Sequence, residues 1–212
     1  MLSMKKKIEK VIPGYGILLL VLVLSMNMIT YFGTRIFTQK LEHHVLASPL
    51  DDLIPFCPFF ISFYILAYIQ WCVGFVMIAR EEKRFCYRFL LGEMIAKFLC
   101  LLCFVIYPTT IVRPEIAGNG IWEQLTALIY RLDAPDNLFP SIHCLESWVC
   151  FRAAIHMKNT PKWYTGVMFV SSMLVFSSTV FVKQHVVIDM FGAVAACEIG
   201  FFIMGLILKE KK

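Results

Sequence analysis

The stretch that decides how this chain folds is residues 178–189, Ser-Thr-Val-Phe-Val-Lys-Gln-His-Val-Val-Ile-Asp. It lies in an apolar part of the chain, yet it carries Lys183, His185 and Asp189. On a helix, His185 and Asp189 share one face because they are four residues apart. Ionisable side chains beside membrane hydrocarbon are costly, so such a cluster indicates a functional site. The alternative is a polar helix cap at the lipid surface.

The composition indicates a helical membrane protein. Hydrophobic residues make up 59% of the 212 residues, and the mean hydropathy is +0.71. A soluble domain of this size would have nowhere to bury so much apolar surface. We therefore expect an all-α, multi-pass protein whose partner is the lipid bilayer. The net charge of +5 does not indicate nucleic acid, because the basic residues form short clusters at helix ends.

Six apolar segments are predicted to be membrane-crossing helices. Their approximate ranges are 11–32, 56–79, 89–107, 139–157, 163–182 and 186–208. The fourth is short for a full span, which suggests that its start is recessed below the membrane surface. A lysine-rich start followed by the first segment could be a signal peptide, but the run is long and ends in Thr-Tyr-Phe, which is not a cleavage site. The prediction is one domain, 1–212, folded as a six-transmembrane-helix bundle.

The distribution of basic residues predicts the orientation of this bundle. Six helices place both termini on one side of the membrane. Of the 20 lysines and arginines, 14 lie at the termini or in the loops on that side, and 5 lie in the other connections. The positive-inside rule then makes the termini cytoplasmic. The outer face receives the helix ends that carry Arg113, His143, Lys183, His185 and Asp189.

These residue types suit phosphoryl chemistry at the outer face. Two histidines, one of them backed by a carboxylate, provide a nucleophile and a separate acid/base. Asp189 would bond one ring nitrogen of His185 and fix its tautomer. Arg113 and Lys183 would hold a phosphate, and Ser141 would add a hydroxyl ahead of a helix start.

Three motifs in this region resemble those of the type 2 phosphatidic acid phosphatase superfamily of membrane lipid phosphatases and phosphotransferases. The family patterns are Lys-x6-Arg-Pro, Pro-Ser-Gly-His and Ser-Arg-x5-His-x3-Asp. Here they appear as Arg113-Pro114, as Pro-Ser-Ile-His at 140–143, and as Ser178-Thr179 followed by His185 and Asp189. The resemblance covers residues 97–208. The residues in and around the motifs are most similar to those of the inositol phosphorylceramide synthase-like branch.

The resemblance implies a role for each matching residue. His185 would be the nucleophile that forms a phosphohistidine, Asp189 would orient it, and His143 would be the acid/base. The phosphate would be bound by Arg113, Ser141 and Ser178. Neither a metal nor another cofactor is expected from the resemblance.

The chain departs from the family pattern at two basic positions. Ile106 stands where the first motif has Lys, and Thr179 stands where the third has Arg. We predict that Lys183 replaces the missing arginine, with Arg131 as a second candidate. Glu146, three residues after the second-motif histidine, would either tune that histidine or act as a polar cap.

Three functions fit these observations. The first is hydrolysis of a phosphomonoester or diphosphate of a membrane lipid, such as polyprenyl diphosphate, phosphatidylglycerophosphate or phosphatidic acid. The second is a lipid phosphotransferase that moves a phospho-head group to an alcohol acceptor. A non-enzymatic transporter is disfavoured, because the sequence shows no internal repeat and no pair of broken helices. The absence of an added domain suits a bacterial plasma membrane.

Overall fold

The computed structural model describes residues 12–209, and its regular structure is almost entirely helical. In chain order the helices are α1 (Gly14–Thr38), α2 (Pro49–Leu53), α3 (Pro58–Arg80), α4 (Lys83–Ile106), α5 (Ile121–Leu132), α6 (Ile142–His156), α7 (Lys162–Phe181) and α8 (Val187–Lys209). Two short strands, β1 (His44–Val45) and β2 (Thr109–Thr110), pair in parallel. The terminal lysines that contribute to the predicted orientation lie outside the described residues.

Within residues 12–209, five helices are long and apolar enough to cross a membrane, judged by length and composition: α1, α3, α4, α7 and α8. Helix α6 has only 15 residues. At about 1.5 Å per residue it is roughly 22 Å long, shorter than the ~30 Å hydrocarbon core. Large apolar side chains such as Leu24, Ile69 and Phe202 are exposed on the outside of the bundle. The architecture is compatible with a multi-pass membrane protein.

Helix α6 lies at the centre of the bundle and packs against α3, α7 and α8. More than half of its residues are buried. The sequence placed its start at residue 139, but the helix begins at Ile142 because Ser141 is its N-cap. The Ser141 hydroxyl accepts a hydrogen bond from the Cys144 amide at 3.3 Å. The central helix of the bundle, α6, therefore begins one residue before His143.

Two connections between the predicted segments, residues 33–55 and 108–138, contain helix that the sequence did not indicate. Residues 33–38 continue α1 through a wider turn at Ile29–Gly33. Within the long connection 108–138, the amphipathic helix α5 packs the side chains of Leu125 and Ile129 against a small buried cluster of Ile61, Tyr64 and Val182. The sequence interpretation of this connection as a loop was wrong, because α5 has only one apolar face and its many polar residues resemble those of a loop.

Helices α4 and α8 cross at a pair of glycines, Gly92 and Gly200. A β-carbon on Gly200 would overlap the carbonyl oxygen of Gly92, and one on Gly92 would lie 2.8 Å from the ring of Phe201. The two backbones can approach this closely only because neither residue has a side chain. Small residues at such a crossing are the usual means of packing helices in a membrane, where apolar burial gives little preference between helix faces.

We expect Gly200→Ala to destabilise the protein by about 2 kcal/mol, because the added methyl group forces α8 away from α4. Thermal unfolding of the detergent-solubilised protein measures this effect. The control is Gly166→Ala on α7, where no atom lies within 4 Å of the added carbon. Equal melting temperatures for the two variants would contradict the close crossing.

A buried ion cluster joins α4 to α6. The ammonium of Lys97 lies 2.6 Å from a carboxylate oxygen of Glu93 and 2.5 Å from one of Glu146. Lys97 and Glu93 are fully buried, and Glu146 is almost so. Glu93 and Lys97 are four residues apart on α4, a spacing that brings an acid and a base together on one helix face. Because these charged side chains are buried, each depends on its partners for stabilisation.

Lys97→Met is expected to destabilise the protein by about 3–5 kcal/mol, since it leaves two neighbouring carboxylates buried without a cation. Denaturant or thermal unfolding in detergent measures the loss. The comparison is Arg35→Met, whose ion pair with Asp136 is partly exposed and is expected to contribute less than about 1 kcal/mol. A similar loss in both variants would show that burial does not strengthen the cluster.

Candidate active site

His185 lies in the turn between α7 and α8, and its ring is held by Asp189. The ring Nδ1 is 3.0 Å from the Asp189 carboxylate, which also accepts a hydrogen bond from the Val186 amide at 3.1 Å. The C-terminal end of α7 is capped by the backbone amides of Gln184 and His185, which both donate hydrogen bonds to the carbonyl oxygen of Thr179. The four-residue spacing thus produces the contact that the sequence predicted. Because Nδ1 faces the carboxylate, Nε2 is the nitrogen available to a ligand.

Lys183 occupies the same turn with a backbone φ of 50°, in the left-handed region that usually favours glycine after a helix end. Its ammonium donates hydrogen bonds to the carbonyl oxygens of Asp51 at 2.8 Å and Ile54 at 2.6 Å. An ammonium has three donors, so these contacts leave one for a ligand. The structure places Lys183 as a connection between the α7–α8 turn and the loop around α2.

Asp51 completes this connection from the other side. One of its carboxylate oxygens accepts a hydrogen bond from the amide of Val187, the first residue of α8, at 2.7 Å. Burial raises the pKa of the Asp51 carboxyl, but hydrogen bonds from Ser48 and Val187 outweigh that effect and hold the pKa below its ordinary value. The stabilisation is therefore present above the unfolded-state pKa and is lost as the pH falls through the lowered one.

His143 lies in the first turn of α6 among aromatic side chains. Its ring stacks on Tyr64 with centroids 4.2 Å apart and lies 5.1 Å from the ring of Trp71. Its Nδ1 is 3.4 Å from the Tyr64 hydroxyl, which itself lies 2.9 Å from Asp133. The Tyr64 hydroxyl donates its hydrogen bond to the Asp133 carboxylate. The same hydroxyl oxygen therefore accepts a hydrogen bond from the Nδ1–H of His143. The buried Nε2 has no hydrogen-bond partner within residues 12–209.

Asp133, just after α5, connects several parts of the site. Its two carboxylate oxygens accept hydrogen bonds from the hydroxyls of Tyr31 and Tyr64. Its backbone carbonyl accepts a hydrogen bond from Arg113 at 2.7 Å. Sequence reasoning missed Asp133 and Tyr64. No sequence signal could have paired them, because the contacts join residues far apart in the chain.

The two histidines lie side by side, with ring centroids 6.2 Å apart. Both line one cavity of about 300 Å³, here called the aromatic cavity. Its other walls include Tyr31, Phe32, Tyr68, Trp71, Leu132, Asp133 and Gln184. His185 also lines a second cavity of about 380 Å³, here called the cationic cavity, with Asp51, Asp52, Arg113 and Lys183. His185 is thus the residue that the two cavities share.

Arg113 lies in the wall of the cationic cavity, and most of its donors are already engaged. Its guanidinium donates to the carbonyls of Tyr130 and Asp133 and to the side chain of Gln184. It also stacks over the Tyr130 ring at 4.5 Å. Burial lowers the pKa of Arg113 and the nearby Asp133 carboxylate opposes that effect. Its buried Nε has no partner within the described part of the chain.

The two predicted serines lie outside both cavities. Ser141 is fully buried as the α6 cap, and its amide donates to the carbonyl of Asp189 at 3.1 Å. The Ser178 hydroxyl donates to the carbonyl of Val175, one turn back in α7, at 2.7 Å. The structure thus uses both hydroxyls locally, and their phosphate-binding role stays a prediction.

The remaining two candidates lie apart from the histidines. Arg131 is exposed on α5 and lines neither cavity. Glu146 is one turn after His143, but its carboxylate binds Lys97 instead of the histidine. Among residues 12–209, no group of three His, Cys, Asp or Glu side chains is arranged to hold a metal ion.

Comparison of the chain with protein-family models, with curated proteins and with solved structures finds no match. A function is therefore inferred from the side chains of the site themselves. The central observation is that two histidines, delivered by α6 and by the α7–α8 turn, face one cavity. Each has a carboxylate behind it, Asp189 directly and Asp133 through Tyr64.

Lys183→Met is expected to loosen the loop around α2, because it removes two charge-assisted hydrogen bonds. Hydrogen exchange of the amides at 51–54 should become faster by about tenfold. Hydrogen-exchange mass spectrometry measures this change directly. The matched control is Lys162→Met at the exposed start of α7. Unchanged exchange at 51–54 would show that Lys183 does not hold this loop.

Proposed function

We propose that the chain is a membrane enzyme that hydrolyses a phosphomonoester or diphosphate of a membrane lipid through a phosphohistidine at His185. The observation that carries this proposal is that His143 and His185 line one cavity with their ring centroids 6.2 Å apart. Each ring is also supported by a carboxylate, directly for His185 and through Tyr64 for His143. Two such imidazoles supply the nucleophile and the acid/base that phosphoryl transfer through a covalent intermediate needs.

His185 is suited to the nucleophilic role by its contact with Asp189. The carboxylate accepts a hydrogen bond from Nδ1–H and so leaves the lone pair on Nε2. It also stabilises the positive charge that develops when Nε2 bonds to phosphorus. The bond between phosphorus and the leaving lipid oxygen breaks as the N–P bond forms. Water then attacks the phosphohistidine, releases phosphate and restores the imidazole.

His143 is suited to moving the proton in both steps. Its Nε2 is buried without a partner in the described residues, and its Nδ1 faces the Tyr64 hydroxyl. Protonated Nε2 would give its proton to the leaving lipid oxygen, and the neutral ring would then take one from the attacking water. Asp133 stabilises the protonated ring through Tyr64.

Phosphate binding is assigned to cations of the cationic cavity. Arg113 retains its buried Nε–H, and Lys183 retains one N–H beyond its two carbonyl contacts. These donors neutralise charge on a phosphoryl group beside His185. The sequence resemblance to the type 2 phosphatidic acid phosphatase superfamily supports the assignment of Arg113. It also implies Ser141 and Ser178, but these serines lie outside the two cavities.

The proposal includes a membrane arrangement. Helix α6 is taken as a sixth, shorter spanning helix alongside the five long ones, which places both termini on the cytoplasmic side. The histidines then lie at the outer face of a plasma membrane, and a bacterial one fits best. The charge distribution of the sequence supports this orientation.

A lipid phosphotransferase is the alternative, and one observation favours it. The aromatic cavity beside His143 has several apolar walls, including Phe32, Trp71 and Leu132. Such walls suit an alcohol that carries a lipid chain better than they suit water alone. The acceptor would then attack the phosphohistidine in place of water, with His143 removing its proton.

We expect His185→Asn to abolish turnover and the acid-labile phosphoenzyme formed from a radiolabelled lipid phosphate. His143→Asn is expected to slow turnover by at least about a hundredfold, because general acid–base catalysis contributes that much. Purified protein in detergent would be incubated with phosphatidic acid, phosphatidylglycerophosphate and polyprenyl diphosphate, and free phosphate would be measured.

The matched control is His156→Asn, since this exposed histidine lies at the opposite end of α6. It is expected to keep wild-type activity. Transfer of the label to an added alcohol lipid without release of free phosphate would replace hydrolysis by phosphotransfer. Full activity in the His185→Asn variant would rule out the phosphohistidine mechanism.

A further inference from the structure

A third cavity lies far from the histidines, between the start of α4 and the end of α8. It has a volume of about 340 Å³. Its polar walls are Arg84, Arg88, Arg152 and Glu198, and its apolar walls include Phe202 and Leu206. Helix α8 leads from the His185 turn to this cavity, and about 14 residues of helix separate them by roughly 20 Å. The cavity therefore belongs to the other end of the bundle.

The charges in this cavity do not balance. Arg152 and Glu198 neutralise each other through two contacts of 2.6 and 3.0 Å. Arg84 donates one hydrogen bond to the carbonyl of Leu208 at 2.7 Å and pairs with no carboxylate among residues 12–209. Within residues 12–209, the guanidinium of Arg88 has neither an ion pair nor a hydrogen bond. Among the described residues that line the cavity, two positive charges therefore remain for an anion.

The shape of the cavity indicates what kind of anion fits. The guanidinium of Arg88 lies 4.0 Å from the position of a β-carbon on Gly205, so the absence of a side chain there keeps the cavity open beside it. Phe202 and Leu206 are exposed on the adjacent outer surface of α8. In a membrane such side chains contact lipid tails. A ligand here meets arginines at one end and hydrocarbon-facing walls at the other.

We propose that this cavity binds the phosphodiester head group of an anionic phospholipid, with its acyl chains along Phe202 and Leu206. Arg88 and Arg84 contact the phosphate, because guanidinium groups match phosphate oxygens in charge and geometry. The cavity lies at the ends of two helices long enough to span a bilayer, which is the depth at which lipid phosphates lie. Basic pockets between transmembrane helices are known to take such head groups.

The test is native mass spectrometry of the full chain, released from detergent in the presence of equal amounts of phosphatidylglycerol, phosphatidylethanolamine and phosphatidylcholine. We expect retained phosphatidylglycerol in preference to the other two. Arg88→Gln is expected to reduce its binding by about tenfold, the usual effect of losing one charge-assisted contact. Gly205→Leu, which fills the cavity without changing its charge, is expected to reduce it similarly.

The control is Lys83→Gln, because Lys83 is an exposed cation beside Arg84 that does not line the cavity. It is expected to leave lipid binding unchanged. Equal loss of binding in all three variants would overturn the proposal in favour of nonspecific attraction by surface charge. Displacement of the lipid by excess inorganic phosphate would overturn it in favour of a free-phosphate site. Lipid that stays bound in Arg88→Gln would place it elsewhere on the protein.

Discussion

The contact between Lys97 and two carboxylates is the interaction on which the arrangement of the bundle depends. Apolar helices gain little by choosing one another over lipid, so a few specific contacts decide which faces meet. Lys97 and Glu93 belong to α4, Glu146 belongs to α6, and α6 carries His143 one turn earlier. The buried ions thus hold the central helix to its neighbour. The position of His143 follows from that attachment together with the packing of α6 against α3, α7 and α8.

The site itself is assembled by parts of the chain that lie outside the long helices. The turn after α7 supplies His185, and the segment after α5 supplies Asp133. The loop around α2 is attached to the start of α8 through Asp51. Each histidine has a carboxylate, but His185 meets its own directly while His143 is linked through a tyrosine hydroxyl. The two rings therefore have different electrostatic surroundings, which suits the different roles proposed for them.

How much could be predicted from the sequence depended on how far apart along the chain the contacting residues lie. The His185–Asp189 pair follows from helical spacing, and the apolar segments follow from length and hydropathy. The Tyr64–Asp133 contact joins residues 69 positions apart, and no local pattern reports it. Lys183 shows a further limit: a lysine beside a histidine suggests anion binding, yet its ammonium binds two backbone carbonyls. Sequence shows that a charge is present but not which group it contacts.

The crossing of Gly92 and Gly200 has a consequence for tracing the ancestry of this chain. Positions that face lipid accept almost any apolar residue, so they lose their resemblance quickly as sequences diverge. A position where a β-carbon would overlap a neighbouring backbone tolerates no such drift. Gly200 is such a position, whereas an added β-carbon on Gly92 would meet the ring of Phe201. A search for distant relatives should therefore weigh Gly200 more heavily than the lipid-facing positions around it.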